Sequence, residues 1–317
     1  MTDSFGRTIT YLRLSVTERC NLRCRYCMPE EGICKKAHSD MLTEEEMVQA
    51  VRAAASLGVS KLRVTGGEPL VKKNIISICK NCAAVPGIRE VCITTNGILL
   101  PQYAEELKQA GVKRVNLSLD TLDPEKYARI TRWGTLSDAL AGLHAALNTD
   151  FEKVKVNAVL IGGCNDDEIP ALAELTRRYP VDVRFIELMP MQARDEFGEE
   201  AFLPAKAVLE KLPEAQPISP DGGVARLYRI PGAYGNIGLI SPVSDHFCAS
   251  CNRLRLTADG KIKPCLHSSD EFPIKGLSYD EMLAAFRQAI VAKPARHAEL
   301  SAQRRSEAGR NMNQIGG

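Results

Sequence analysis

The sequence predicts an α/β fold: an incomplete TIM-like barrel of six β/α units, followed by a C-terminal extension that carries a cluster-binding β-hairpin over the barrel mouth. Three observations predict it. Six strand-like runs, at residues 11–16, 61–65, 90–95, 114–119, 154–161 and 183–188, alternate with helical segments. Such alternation builds a parallel sheet with right-handed crossovers. One face of the strands is repeatedly polar, whereas a doubly wound sheet, covered by helices on both faces, reads as near-continuously apolar. After about residue 191 the alternation stops, which separates a barrel domain, 1–190, from a C-terminal domain, 191–317.

The first strand carries Leu12, Leu14 and Val16 on one face and Arg13 and Ser15 on the other. The helix after it spans residues 43–57. Thr43 and Glu46 form a capping box, Met47, Val48, Val51, Ala54 and Ala55 make one apolar stripe, and Gly58 ends it. The second strand turns Arg63 and Thr65 to the polar side and the third Thr94 and Asn96. Asn116, Ser118 and Asp120 follow from the fourth, then Lys155 and Asn157 from the fifth. Helical segments at 101–110, 135–148 and 166–179 separate the later strands. Polar and cationic residues facing inward on strand after strand fit a barrel with helices outside and a wet, ligand-holding interior.

Residues 213–238 are rich in Pro and Gly and read as a linker or a long covering loop. Asp259-Gly260 is a two-residue hairpin signal, and that hairpin returns Cys265 toward Cys248 and Cys251. A helix is expected at 279–291, then a polar tail, mobile except at its end, which is Gly316-Gly317.

Charge is nearly balanced, with 41 Lys and Arg against 39 Asp and Glu and a net charge of +2. This gives no global argument for nucleic acid or an anionic membrane, so any anion site is a local cluster. No apolar run is long enough to span a bilayer and the first residues lack a signal-like apolar stretch, so a cytoplasmic location is expected. There, eleven cysteines do not form a disulfide framework; those that cluster read as metal or redox ligands. Cys34, Cys79, Cys82, Cys92 and Cys164 read as buried thiols.

Cys20, Cys24 and Cys27, spaced C-x3-C-x2-C just after the first strand, are the sharpest signal. Three thiolates ligate three irons of a [4Fe–4S] cubane and leave the fourth without a protein ligand. A zinc site completed by His38, or three buried structural cysteines, are the competing readings. Thr65-Gly66-Gly67-Glu68-Pro69 follows the second strand, so it shares with the cysteines the end of a barrel where active sites are built. Cys248, Cys251 and Cys265 form a second group of three, for which zinc with His246 or His267 competes with iron–sulfur. Arg253 and Arg255 share one hairpin face beside them. With Arg13, Arg63, Lys155 and Arg184 they make six cations, a set suited to a polyphosphate.

The cysteine triad with Tyr26 and the G-G-E-P segment resembles the radical S-adenosylmethionine superfamily. The resemblance is closer still to the GTP 3′,8-cyclase family of molybdenum-cofactor biosynthesis, carried by S4-F-G-R7, L12-R-L-S15, C20-N-L-R-C24-R-Y-C27-M-P, T94-T-N-G97, S118-L-D120, F185-I-E-L-M189, C248-x2-C251-x-R253-x-R255, Cys265 and Gly316-Gly317. It covers nearly the whole chain and is weakest over residues 191–242.

That resemblance implies two [4Fe–4S] clusters, on Cys20, Cys24 and Cys27 and on Cys248, Cys251 and Cys265, with S-adenosylmethionine at the first. Tyr26, Gly67, Ser118 and Met189 would line the S-adenosylmethionine site. Arg13, Arg63, Thr94, Lys155, Arg184, Arg253 and Arg255 would bind GTP, with Arg13, Arg253 and Arg255 also catalytic. The implied reaction begins when an electron donor drives cleavage of S-adenosylmethionine to a 5′-deoxyadenosyl radical. The radical takes H3′ of GTP, C3′ bonds to C8, and 3′,8-cyclo-7,8-dihydro-GTP passes to cyclic pyranopterin monophosphate synthase. The Gly316-Gly317 tail would reach the active site, and a homodimer is compatible with the reading. Two rivals remain: a radical enzyme that modifies a peptide with the help of auxiliary clusters, and a non-enzymatic zinc or iron–sulfur interaction protein. The arginine set favours a phosphate ligand over the first, and the inward polar rows weigh against the second.

Overall fold

The computed structural model describes residues 1–34, 36–191, 197–301 and 304–316. The six strands are β1 (Tyr11–Ser15), β2 (Lys61–Thr65), β3 (Glu90–Thr95), β4 (Val112–Ser118), β5 (Lys153–Leu160) and β6 (Val181–Glu187). Between them run α1 (Glu44–Ser56), α2 (Ile75–Ala83), α3 (Leu100–Gln109), α4 (Pro124–Thr131), α5 (Leu136–Asn148) and α6 (Ile169–Arg178). Local chemistry fixes α1 as expected: the Glu46 backbone N–H donates to the Thr43 hydroxyl at 3.2 Å, and the Thr43 N–H donates to the Glu46 carboxylate at 2.8 Å. The outward strand residues Leu12, Leu14, Leu62, Val64, Ile93, Val115 and Val156 are fully buried against Met47, Val51, Ile78 and Leu107. Each such side chain stabilises the fold by roughly 1.5–3 kcal/mol relative to exposure. That layer keeps the helices outside and leaves the other sheet face to line an interior.

The C-terminal part adds α7 (Ala207–Lys211), β7 (Gln216–Pro217), β8 (Arg226–Arg229), β9 (Ile237–Ile240), β10 (Arg253–Leu256), β11 (Lys261–Lys263), β12 (Phe272–Pro273), α8 (Tyr279–Val291) and α9 (Met312–Ile315). The sheet order is β12-β11-β10-β1-β2-β3-β4-β5-β6-β9-β8-β7. Strand β10 pairs with β1, and β9 with β6, both parallel. The barrel wall is therefore eight parallel strands in a row, continued at each end by antiparallel strands and left unclosed. Among the described residues no helix is long and apolar enough to cross a membrane.

Four expectations change. The hairpin β10–β11 forms at Asp259-Gly260, with Gly260 at φ +76°, but its first strand extends the wall beside β1 where a cover over the mouth was expected. Backbone pairing to the exposed edge of β1 satisfies the strand's N–H and C=O groups, which a free-standing flap would leave to water. Residues 213–238 are no plain loop, since they hold β7 and β8 and lead into β9; strands of two and four residues are too short to show a period of two. Residues 304–316 of the tail are held in place, with Ile315 fully buried, while residues 302, 303 and 317 lie outside the described residues. Of the five unassigned cysteines, Cys79, Cys82 and Cys92 are buried, Cys164 is half-buried, and Cys34 is exposed.

Candidate active site

Residues paired in register across parallel strands share a face, and the ladder lines up the polar rows. Arg255, Arg13, Arg63 and Cys92 stand in one row across β10, β1, β2 and β3. Thr94, Asn116, Lys155 and Asp182 stand in the next, across β3 to β6. Ser118, Asn157, Arg184 and Gly238 complete a third. Eight of these twelve residues, all but Cys92, Lys155, Asp182 and Gly238, line a cavity of about 310 Å³. Its wall includes Cys20, Cys24, Cys27, Tyr26, Gly67, Ser118 and Met189, and also Cys248, Cys251, Cys265, Arg13, Arg63, Thr94, Arg184, Arg253 and Arg255. All the predicted site residues meet there except one. Lys155 is buried but is not on that wall: its ammonium pairs with Asp182 at 3.2 Å and Asp221 at 3.4 Å, and Arg184 also reaches Asp221, at 3.7 Å.

The two cysteine groups lie at opposite ends of the strands, because Cys20, Cys24 and Cys27 follow the C-terminal end of β1, whereas Cys248 and Cys251 precede the N-terminal end of β10, its parallel neighbour. Arg7 fixes the second loop to the N-terminus: it pairs with Asp3 at 2.6 Å and donates to the carbonyls of Cys248 at 2.8 Å and Pro294 at 2.7 Å.

The ends differ in electrostatics. At the first, burial pushes the Cys20 thiol up to about 11 and Cys27 to about 12, and the neighbouring carboxyls are themselves buried. Burial raises Glu68 to about 7 and Asp120 to about 6. Glu68 accepts from the Asn96 N–H at 2.7 Å, the Leu70 N–H at 2.9 Å and the Thr95 hydroxyl at 2.8 Å. Asp120 accepts from the Tyr26 hydroxyl at 2.6 Å and the Val159 N–H at 2.8 Å. Carboxyls raised by desolvation gain most from a nearby cation.

Cations crowd the other end. Burial, with Arg255 beside it, drives Arg13 well below its ordinary value, and burial with Arg253 brings Arg255 down to about 10. A guanidinium does not give up its proton in a protein, so the depression measures crowding that an anion relieves. Burial alone would raise the Cys251 thiol, but Lys293 and Arg253 pull it below its usual range. Arg63 donates to the Thr94 hydroxyl at 3.1 Å and to the Tyr11 hydroxyl. Arg184 Nε, Arg253 Nε and Asn157 Oδ1 are buried and find no hydrogen-bond partner among the described residues, although buried polar groups in native proteins are normally paired.

Each thiol trio fits an iron–sulfur cubane by its donor chemistry, soft sulfur at three positions of one loop or hairpin. Among the described residues no three Cys, His, Asp or Glu side chains converge on one ion position, so the fit rests on the donor set and on the cavity both trios share.

Sequence reasoning left Tyr11, Glu68, Asn96, Asp120 and Asn157 without roles, though all line the cavity. The signal was present, since each lies within a quoted motif or on a strand's polar parity. What was missing is the contact, such as Tyr26 to Asp120, which joins a loop to the segment just past β4, 94 residues on.

Residues 14–176 match the Radical SAM superfamily, and residues 181–299 match Molybdenum Cofactor Synthesis C. The chain is 48% identical over 321 residues to the GTP 3′,8-cyclase of Alkaliphilus metalliredigens (strain QYMF). It is 45% identical over 327 residues to that of Moorella thermoacetica (strain ATCC 39073 / JCM 9320). Each comparison covers 100% of both chains. Among solved structures, Streptococcus suis SuiB aligns with a TM-score of 0.65 at 14% identity, over 88% of this chain and 65% of that one. At that identity the likeness shows the fold alone.

Proposed function

The chain belongs to the GTP 3′,8-cyclase family of the radical S-adenosylmethionine superfamily, and from that premise we propose that it converts GTP to 3′,8-cyclo-7,8-dihydro-GTP for molybdenum-cofactor biosynthesis. The observation that carries this reading is the polarity of one cavity, with buried carboxyls and a thiol trio at one end and a second trio among arginines at the other. A sulfonium-bearing amino acid suits the first end and a triphosphate the second.

Cys20, Cys24 and Cys27 would hold one [4Fe–4S] cluster, and Cys248, Cys251 and Cys265 the other. When bound, the first cluster supplies the electron that splits S-adenosylmethionine into methionine and a 5′-deoxyadenosyl radical. Gly67 lets that co-substrate approach the backbone, while Tyr26, Ser118 and Met189 flank it. Arg13, Arg63, Thr94, Arg253 and Arg255 hold GTP so that its ribose H3′ faces the radical and C8 lies within reach of C3′. Lys155 and Arg184 take the phosphates in place of Asp221. The depth of the cavity shields the radicals from water and oxygen. Arg13, Arg253 and Arg255 also stabilise the cyclised radical as it gains an electron and a proton. In this reading residues 1–190 supply the six-strand barrel core, and residues 191–317 add two strands to its wall, the second cluster site and the tail. A cytoplasmic one-electron donor feeds the enzyme, and the product passes to cyclic pyranopterin monophosphate synthase.

The test is anaerobic reconstitution followed by incubation with dithionite, S-adenosylmethionine and GTP. Two cubanes give about eight irons per chain, with 5′-deoxyadenosine and the cyclised nucleotide formed together. Zinc at Cys248, Cys251 and Cys265, or cleavage supported by a peptide and not by GTP, overturns it.

A further inference from the structure

The C-terminal segment touches both the first thiol trio and the arginines of the cavity. Asn313, only 1% exposed, donates its side-chain amide to the Glu18 carbonyl at 2.9 Å, and its backbone N–H hydrogen-bonds the Cys27 thiol. Three residues on, the Gly316 carbonyl accepts from Arg255 at 2.7 Å and from Arg13 Nε at 3.3 Å. Gly316 lies against Thr65 and Ser15, where a Cβ would meet Thr65 Cγ2 at 2.7 Å.

Apolar burial holds this segment weakly: Ala308 and Ile315 pack with Met191 in a cluster of three buried residues. Chain ends without stronger anchors fray, because ordering each residue costs roughly 1–2 kcal/mol of backbone entropy. The stronger anchor is Arg310. Its guanidinium forks onto Glu271, Nε to Oε1 at 2.6 Å and Nη2 to Oε2 at 2.7 Å. Its Nη1 meets Asp259 Oδ1 and Oδ2 at 3.2 and 3.1 Å and Glu18 Oε1 at 3.7 Å. Lys36 completes the network, 2.9 Å from Glu18 and 2.6 Å from Asp259. The Arg310 side chain is 14% exposed, and those of Asp259 and Glu18 are 10% and 5%. Three carboxylates from three loops, one beside the first cysteines, one at the turn of the second cysteine hairpin and one just before β12, converge on one arginine of the tail. A forked arginine–carboxylate pair fixes direction as well as distance, which a loose surface ion pair does not.

We propose that Arg310 is a positioning residue that latches the C-terminal segment, setting the Asn313 N–H on Cys27 and the Gly316 carbonyl on Arg13 and Arg255. Hydrogen bonds to cluster thiolates stabilise the reduced state. The latch therefore links the readiness of the first thiol trio to the arrangement of the arginines. Its consequence for turnover rests on the GTP reading above; the latch itself does not.

The test compares the reconstituted wild type with Arg310→Ala. Expected are loss of amide-exchange protection over residues 304–316 with β1–β6 unchanged, a lower midpoint potential of the first cluster, and a kcat for cyclisation reduced by roughly tenfold with KM for GTP moved less. Arg310→Lys, which reaches one carboxylate at a time, falls between. Where Arg310→Ala fails to fold, Glu271→Gln removes the fork's charge alone, with the same changes on a smaller scale. Unchanged protection overturns the latch. Lost protection with wild-type potential and turnover overturns its role. A wild type that leaves GTP unreacted refutes the functional reading, while exchange and potential still decide the latch.

Discussion

Arg13 and Arg255 stand side by side in register across the parallel β1–β10 pair, and both donate to the carbonyl of Gly316. Two buried guanidiniums at neighbouring positions repel, and a single carbonyl dipole offsets only part of that repulsion. An anion placed there gains from both. Replacing Arg255 by Ala removes a charge-assisted hydrogen bond of about 1.5–3 kcal/mol, so kcat/KM for GTP falls roughly 10- to 100-fold. Steady-state kinetics with GTP check this, and iron content stays at the wild-type level.

Cys265→Ser separates the two thiol trios. Iron falls by about four per chain, S-adenosylmethionine cleavage persists, and cyclised nucleotide disappears. Iron analysis with product chromatography reads all three. Loss of both clusters would mean the trios are not independent.

The Gly67 Cα sits where a Cβ would lie 2.5 Å from the Arg19 carbonyl oxygen and 2.7 Å from that of Glu18. Both are backbone atoms of the first cysteine loop, so they yield little. Gly67→Ala costs roughly 1–3 kcal/mol of stability by overpacking and abolishes S-adenosylmethionine cleavage. Denaturant titration and 5′-deoxyadenosine yield measure the two effects.

Asp221 occupies Lys155 and Arg184, at 3.4 and 3.7 Å. A triphosphate must displace its carboxylate to reach them. Asp221→Asn weakens that competitor and lowers the KM for GTP about 2- to 5-fold, in line with a half-exposed ion pair of ~0.5–1 kcal/mol. A raised KM would instead make Asp221 part of the binding site.

Glu68 and Asp120 set a pH signature for the metal-free protein. Burial raises Glu68 from 4.5 to about 7 and Asp120 from 3.8 to about 6. The folded chain therefore binds more protons than the unfolded chain between those values. Stability from these two groups is full below about pH 4 and is lost as the pH rises toward 7. Asp120→Asn removes roughly 2 kcal/mol of that decline. Urea denaturation of wild type and variant from pH 4.5 to 7.5 reads the difference in slope, and parallel slopes would refute it.

The sequence alone determined the six β/α units and the inward side chains, because strand parity depends only on local periodicity and parallel pairing keeps partners on one face. Cys20, Cys24 and Cys27 were legible for the same local reason, being close along the chain. So was the turn at Asp259-Gly260. The places where distant segments meet were not legible. Strand β10 could join β1 only once the free edge of that strand was known, and this pairing put Arg255 beside Arg13. Residues Ile237–Ile240 carry too few side chains to announce a strand, and only the edge of β6 made them one. Lys155 reads by parity as a ligand, and its ion pairs with Asp182 and with Asp221, 66 residues away, were not legible. Asn313 and Gly316 belong to a polar tail whose pattern has no period, and they are fixed by Arg310, Glu18 and the arginines they meet. Periodicity and spacing are properties of neighbours in sequence; ion pairs and sheet edges are properties of neighbours in space, and in this protein the second kind decides which charges face the cavity.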